Sequence, residues 1–133
     1  MIKIVALVFA GGAVGAVLRE VAMLTVPNLM HDFPLDILVA NLLAAFMLGF
    51  VTALHIRRTV SDAVNSLIGT GLTGGLSTFS SFAYGTTVLA TASTQGALVA
   101  FAYVVTSLVL GYIAVIVGMK LGAWPPLSSA GQN

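Results

Sequence analysis

The residues best suited to chemistry form one run, Gly74-Gly75-Leu76-Ser77-Thr78-Phe79-Ser80-Ser81-Phe82, inside a long apolar stretch. Gly69 and Gly71 precede it. Glycine is a poor helix former, so this run predicts a break in a helix. Irregular backbone inside a membrane persists only where protein or a wet cavity satisfies its polar groups. Carbonyls freed by a break can hold a cation. The N-terminus of the half-helix that follows favours an anion. Ser77 or Thr78 is placed to cap that half-helix. The plainer alternative is a kinked packing helix, since glycine is common in membrane helices. Phe79 and Phe82 are three apart and share one helix face. The edge of a phenyl ring is electropositive and attracts an anion weakly. Two Phe at this spacing also match a generic apolar stripe.

Three further positions stand out. Asn41 lies inside an apolar block, where an unpaired amide is costly to bury. Its NH₂ group either donates to an anion or makes an interhelical hydrogen bond. Arg19 and Glu20 are adjacent charges in another block. A charge there is a functional signal by default. Arg19 either snorkels to the far interface or faces a vestibule, where it would concentrate anions. Tyr103 and Ser107 sit at i and i+4 on one face, with Thr106 adjacent, and form a short polar track. Such hydroxyls also bond to their own helix carbonyls. His31 and His55 have no metal-ligand spacing and take no role.

These residues must be positioned by membrane helices. Of the 133 residues, 59% are hydrophobic and 7% charged. Soluble domains carry about 25% charged residues, so most of this surface faces lipid. The net charge of +1 suggests no nucleic-acid partner, and the absence of Cys excludes disulfides and thiolate sites. No triad, carboxylate pair or phosphate loop is present, which argues against an enzyme. Four apolar blocks cover about 2–26, 35–55, 63–92 and 96–121. The first resembles a signal peptide in its opening residues, but its apolar stretch runs on past any cleavage point. Pro27 and Asn28 open a loop, Asp36 suits the start of the second block, and Arg57 and Arg58 suit its end. Trp124 is placed as an interfacial aromatic and Pro125-Pro126 as a helix stop. The expectation is an all-α membrane protein of four transmembrane helices, the third broken mid-membrane. It comprises one domain over 1–126 and a short flexible tail over 127–133. Gly11/Gly15, Gly71/Gly75 and Gly118/Gly122 permit close helix approach. Lys3, Arg57, Arg58 and Lys120 fall on one side and Arg19 on the other, which favours one orientation. One such unit is small for a solvated pathway, so a dimer is expected.

The sequence resembles the Fluc/CrcB family of fluoride channels over nearly its whole length. The resemblance rests on Gly11-Gly12-x-x-Gly15-Ala16-x-x-Arg19, on Asn41 followed by Phe46 and Gly49, and above all on Gly74 to Phe82. It implies a multi-pass protein of the bacterial inner membrane that passively exports fluoride. It further implies a dual-topology antiparallel homodimer with two pores. Phe79 and Phe82 would then line the pores through their ring edges, with Asn41 and the Tyr103/Ser107 face completing the pathway. A structural sodium ion at the dimer centre is also implied, held by the backbone carbonyls of Gly74 and Ser77 from each subunit. The main rival is a small proton-coupled multidrug exporter, which would need Glu20 as its acidic residue. A non-transporting subunit of a larger complex is a third reading.

Overall fold

The computed structural model describes residues 1–26 and 33–124. The loop at Pro27 and Asn28, His31 and Asp32, the Pro125-Pro126 stop and the 127–133 tail lie outside the described residues. Every regular element among the described residues is helical: α1 (Ile2–Thr25), α2 (Leu35–Ile56), α3 (Asp62–Val64), a π-helical segment (Asn65–Leu72), α4 (Thr73–Leu76), α5 (Phe79–Ala92) and α6 (Thr94–Gly122). Helices α1, α2 and α6 are each long and apolar enough to cross a membrane. The third apolar block is divided. Residues 62–76 form a continuous rod of changing pitch, and the chain is extended at Ser77 (ψ 154°) and Thr78 (φ −145°, ψ 107°) before α5 begins. At 1.5 Å per residue the two parts are about 22 and 21 Å long, and neither alone matches a hydrocarbon core of about 30 Å.

Local chemistry accounts for the boundaries. Ser61 accepts a hydrogen bond from the Val64 N–H and starts α3. Thr78 accepts from the Ser81 N–H at 3.2 Å and starts α5. Ser93 accepts from the Gly96 N–H at 3.0 Å and starts α6. Each side chain satisfies a donor that a helix start leaves open. Arg57 closes the other end, with Nη1 donating to the Gly122 carbonyl at 3.3 Å.

Glycine sets the packing. A Cβ on Gly11 would overlap the Leu67 carbonyl, one on Gly15 the Leu72 carbonyl, and one on Gly75 the Gly12 carbonyl. Helix α1 therefore lies parallel to the 62–76 rod with the two backbones in contact. Gly49 meets Val115, Gly118 meets Phe46 and Gly122 meets Phe50 in the same way, so α2 and α6 also run parallel. All three small-residue pairs are thus packing devices, as such pairs are in lipid. The glycines before the break do not break the rod; Gly71 and Gly75 let it touch α1, and the discontinuity comes two residues after Gly75. Lys3, Arg57, Arg58, Asp62 and Lys120 gather at one end of the bundle as a result of these pairings.

Gly118→Val is expected to lower the thermal stability of the detergent-solubilised protein by at least about 1–3 kcal/mol, the usual cost of overpacking. Gly111, whose added Cβ would meet nothing within 4 Å, supplies the control. Gly111→Ala should leave the melting temperature unchanged or raise it.

Candidate functional site at the helix break

The backbone at the break is held by three side chains. Asn41, in the second turn of α2, takes both polar groups of Thr78 at once. Its Oδ1 accepts from the Thr78 N–H at 2.7 Å and its Nδ2 donates to the Thr78 carbonyl at 3.3 Å. This is an interhelical bond, and it leaves one Nδ2 hydrogen free. Arg19 reaches across from α1, and its Nη1 donates to the Gly75 carbonyl at 3.2 Å. Arg19 is half-buried and directed at the break, while the adjacent Glu20 is exposed. Thr78, itself 6% exposed, donates its hydroxyl to Ser81 Oγ at 2.9 Å. Thr78 rather than Ser77 is therefore the cap. Ser77 turns its hydroxyl back to the Gly74 carbonyl at 3.5 Å.

A cavity of about 640 Å³ opens beside the break. Asn41, Ser77, Thr78, Phe79, Phe82 and Ser107 contribute to its lining. Gly69, Thr70, Thr73 and Gly74 form the wall contributed by the rod. Ala44, Ala45 and Leu48 from α2, with Leu108 and Val115 from α6, complete the lining. The result is a mostly apolar groove with amide and hydroxyl groups concentrated near the break. Glu20, the residue an exporter would need, is not in the lining.

Phe79 and Phe82 have ring centroids 6.1 Å apart at an interplanar angle of 37°. Their surroundings differ. Phe79 is 80% exposed and projects from the chain. Phe82 leans on Tyr103, with centroids 5.3 Å apart at 39°. Tyr103 is fully buried. Its hydroxyl and that of Ser107 are both buried and have no hydrogen-bond partner among the described residues. Neither bonds to its own helix carbonyls, so that alternative does not describe them. Five of the sequence-predicted pathway residues thus come together: Asn41, Phe79, Phe82 and Ser107 line the cavity, and Tyr103 packs behind Phe82. Arg19 acts on the same break from its opposite side.

Sequence reasoning passed over two features. Thr70 and Thr73 line the cavity because of the rod's register, which periodicity alone does not reveal. Phe33 stands edge-on to Tyr103, with centroids 5.2 Å apart at 88°. The only cue for Phe33 is its place before Pro34 at the start of α2. His55 Nε2 lies 3.6 Å from Asp62 Oδ1, beside the turn from α2 to α3 and apart from the groove.

Asn41→Leu should leave both Thr78 groups without this partner and destabilise the protein by about 1–3 kcal/mol per unsatisfied group, measured by thermal unfolding. Amide exchange at Thr78 and Ser81 should accelerate selectively. Asn41→Asp keeps the acceptor but loses the donor, so its effect should be intermediate.

Comparison with known proteins places the chain in a family. The family model described as "CrcB-like protein, Camphor Resistance (CrcB)" matches residues 6–119. A Brucella melitensis protein named "Fluoride-specific ion channel FluC 2" is 54% identical across 97% of this chain, covering 51% of the relative. Yersinia pseudotuberculosis "Fluoride-specific ion channel FluC 3" is 46% identical over 92% of this chain and 90% of the relative. Deinococcus radiodurans "Fluoride-specific ion channel FluC" is 41% identical over 85% and 90%. The chain spans about half the length of the Brucella relatives it matches. With its core matched almost end to end and the Gly74 to Phe82 break built as described, the chain belongs to the CrcB family.

Proposed function

We propose that this protein is a passive, fluoride-selective channel, with the groove beside the helix break as one wall of the ion path. The observation that carries this reading is a cavity that presents Asn41, the two Phe rings and the buried Ser107 hydroxyl, with the buried Tyr103 hydroxyl behind Phe82, neither hydroxyl having a hydrogen-bond partner among the described residues. Buried hydroxyls without partners are costly unless something transient uses them. A small anion moving along the groove would do so. The names of the relatives support fluoride as that anion.

Fluoride is small and tightly hydrated, so a pore must replace its water shell without retaining it. The free hydrogen of Asn41, the hydroxyls of Tyr103 and Ser107, and positive ring edges at Phe79 and Phe82 supply a row of moderate interactions. The charge of Arg19 lies behind the break and makes the local potential more favourable to an anion. No energy source is required. Hydrogen fluoride crosses membranes as a neutral molecule and dissociates inside the cell, and the potential then drives the trapped anion outward at about 2.3 kcal/mol per charge per 100 mV.

In this reading the rod over 62–76 and α5 together make a fourth crossing, and two copies assemble antiparallel in the bacterial inner membrane to give two pores. Three observations support the second copy. Phe79 projects from the chain beside the break. The groove is open along one side. Gly74 is exposed, and an added Cβ there would meet nothing within 4 Å, so another backbone can approach it. That open approach also fits the Gly74 and Ser77 carbonyls as sodium ligands contributed by each copy. Sodium, when bound, would supply positive charge at the dimer centre. The chain's own contribution would be the two carbonyls, that of Gly74 in α4 and that of Ser77 at the extended step.

The test is efflux from liposomes under voltage clamp by a potassium ionophore. Fluoride should leave rapidly and chloride should not. Phe82→Ile should reduce fluoride efflux at least about tenfold, a change of about 1.4 kcal/mol in barrier, with the assembly intact by size exclusion. Undiminished flux in Phe82→Ile would remove that ring from the pathway. Tags on both termini should report both orientations, and a single orientation with no other subunit would exclude the antiparallel homodimer.

A further inference from the structure

We propose that Phe33 is a positioning residue for the ion path, acting through Tyr103; the proposal rests on the channel reading above. Tyr103 is the largest fully buried side chain among the described residues. It is held between two rings from different elements. Phe82 of α5 leans on it at 5.3 Å and 39°, and Phe33, just before α2, meets it at 5.2 Å and 88°. The second contact is the edge-to-face arrangement that ring quadrupoles favour.

Phe33 is itself fixed from below. Pro34 follows it with φ −73°, and the first turn of α2 begins at once. A Cβ on Gly85 would lie 3.4 Å from Pro34 Cγ, so the Phe33-Pro34 corner is seated directly on α5. The corner therefore joins α2, α5 and α6 at one point, and Tyr103 is the side chain enclosed there. Among the described residues no other element makes a hydrogen bond to the Tyr103 hydroxyl, its hydroxyl neighbour being Ser107 on the same helix, so no hydrogen bond from another element aims the ring. Ring packing must do so. Phe82 supports one side, and its own placement depends on the break. Phe33 supplies a second support from another element, the start of α2. With both in place the Tyr103 hydroxyl stays on the face of α6 that carries Ser107, one turn further along.

The experiment measures fluoride efflux from liposomes for Phe33→Ala, Phe33→Leu and Phe33→Tyr, in the otherwise unchanged chain and in a Tyr103→Phe background. Assembly is followed by size exclusion. Losing one edge-to-face pair corresponds to a decrease of about two- to thirteenfold. Phe33→Ala and Phe33→Leu should show it, and Phe33→Tyr, which keeps the ring, should restore the flux. If Phe33→Ala does not assemble, Phe33→Leu carries the comparison. In the Tyr103→Phe background there is no hydroxyl to aim, so the same changes should have little further effect. Wild-type flux in Phe33→Leu overturns the proposal. So does an equal loss in both backgrounds, which would make Phe33 act apart from the hydroxyl. Absence of fluoride flux in the unchanged chain is a separate failure, that of the channel reading, and it removes this proposal with it.

Discussion

A polypeptide that leaves regular helix where water is scarce must still satisfy every N–H and carbonyl it exposes. At Ser77 and Thr78 this requirement is met by side chains from outside the broken element. Asn41 takes the donor and the acceptor of Thr78 together, and Arg19 takes the carbonyl of Gly75. The hydroxyl of Thr78 then serves the start of α5. An amide is suited to the first task because it carries donor and acceptor side by side, as the peptide group does. A carboxylate could only accept, and an alcohol would have to reach both groups from a single oxygen. The break is thus a joint fixed between α1 and α2, and it brings the start of α5, with Phe79 and Phe82, beside the groove.

Around this joint the molecule divides into two tightly packed pairs, α1 with the 62–76 rod and α2 with α6. Glycine contacts bring the backbones together in both. The groove runs between them, walled by α2 and α6 on one side and the rod and α5 on the other. Rigid pairs can enclose a groove whose lining need not contribute to cohesion. That explains how so short a chain leaves hydroxyls at Tyr103 and Ser107 without partners.

Much of this was readable in the residues. Apolar block lengths give α1, α2 and α6 nearly to the residue, because hydrophobic runs bounded by charge and proline are strong signals in membrane sequences. The break was readable from Gly and Ser/Thr clustering, although its location was not. Glycine weakens helices in water, and Gly69 to Gly75 look like the weak point. In the packed protein Gly71 and Gly75 are held in helical geometry against α1, and the chain opens where Thr78 can cap. The sequence leaves Asn41 between two roles because an amide's partner is a tertiary fact. Phe33 and Thr70 were missed for the same reason: one depends on where a loop lands, the other on pitch.

Pitch has a wider consequence. Eight residues, Asn65–Leu72, are π-helical. Wider turns of this kind place one more residue in each hydrogen-bonded loop than an α-helix does. Were this segment to relax to α-helix, or to lose a single residue, everything downstream would rotate by about 100° for each position displaced. Thr78 would turn away from Asn41, and Gly75 would no longer face the backbone of α1. Length in this stretch is therefore more tightly constrained than identity. Side chains facing outward can vary, whereas insertions and deletions before the joint cannot be absorbed, because the rod has no loop in which to hide them.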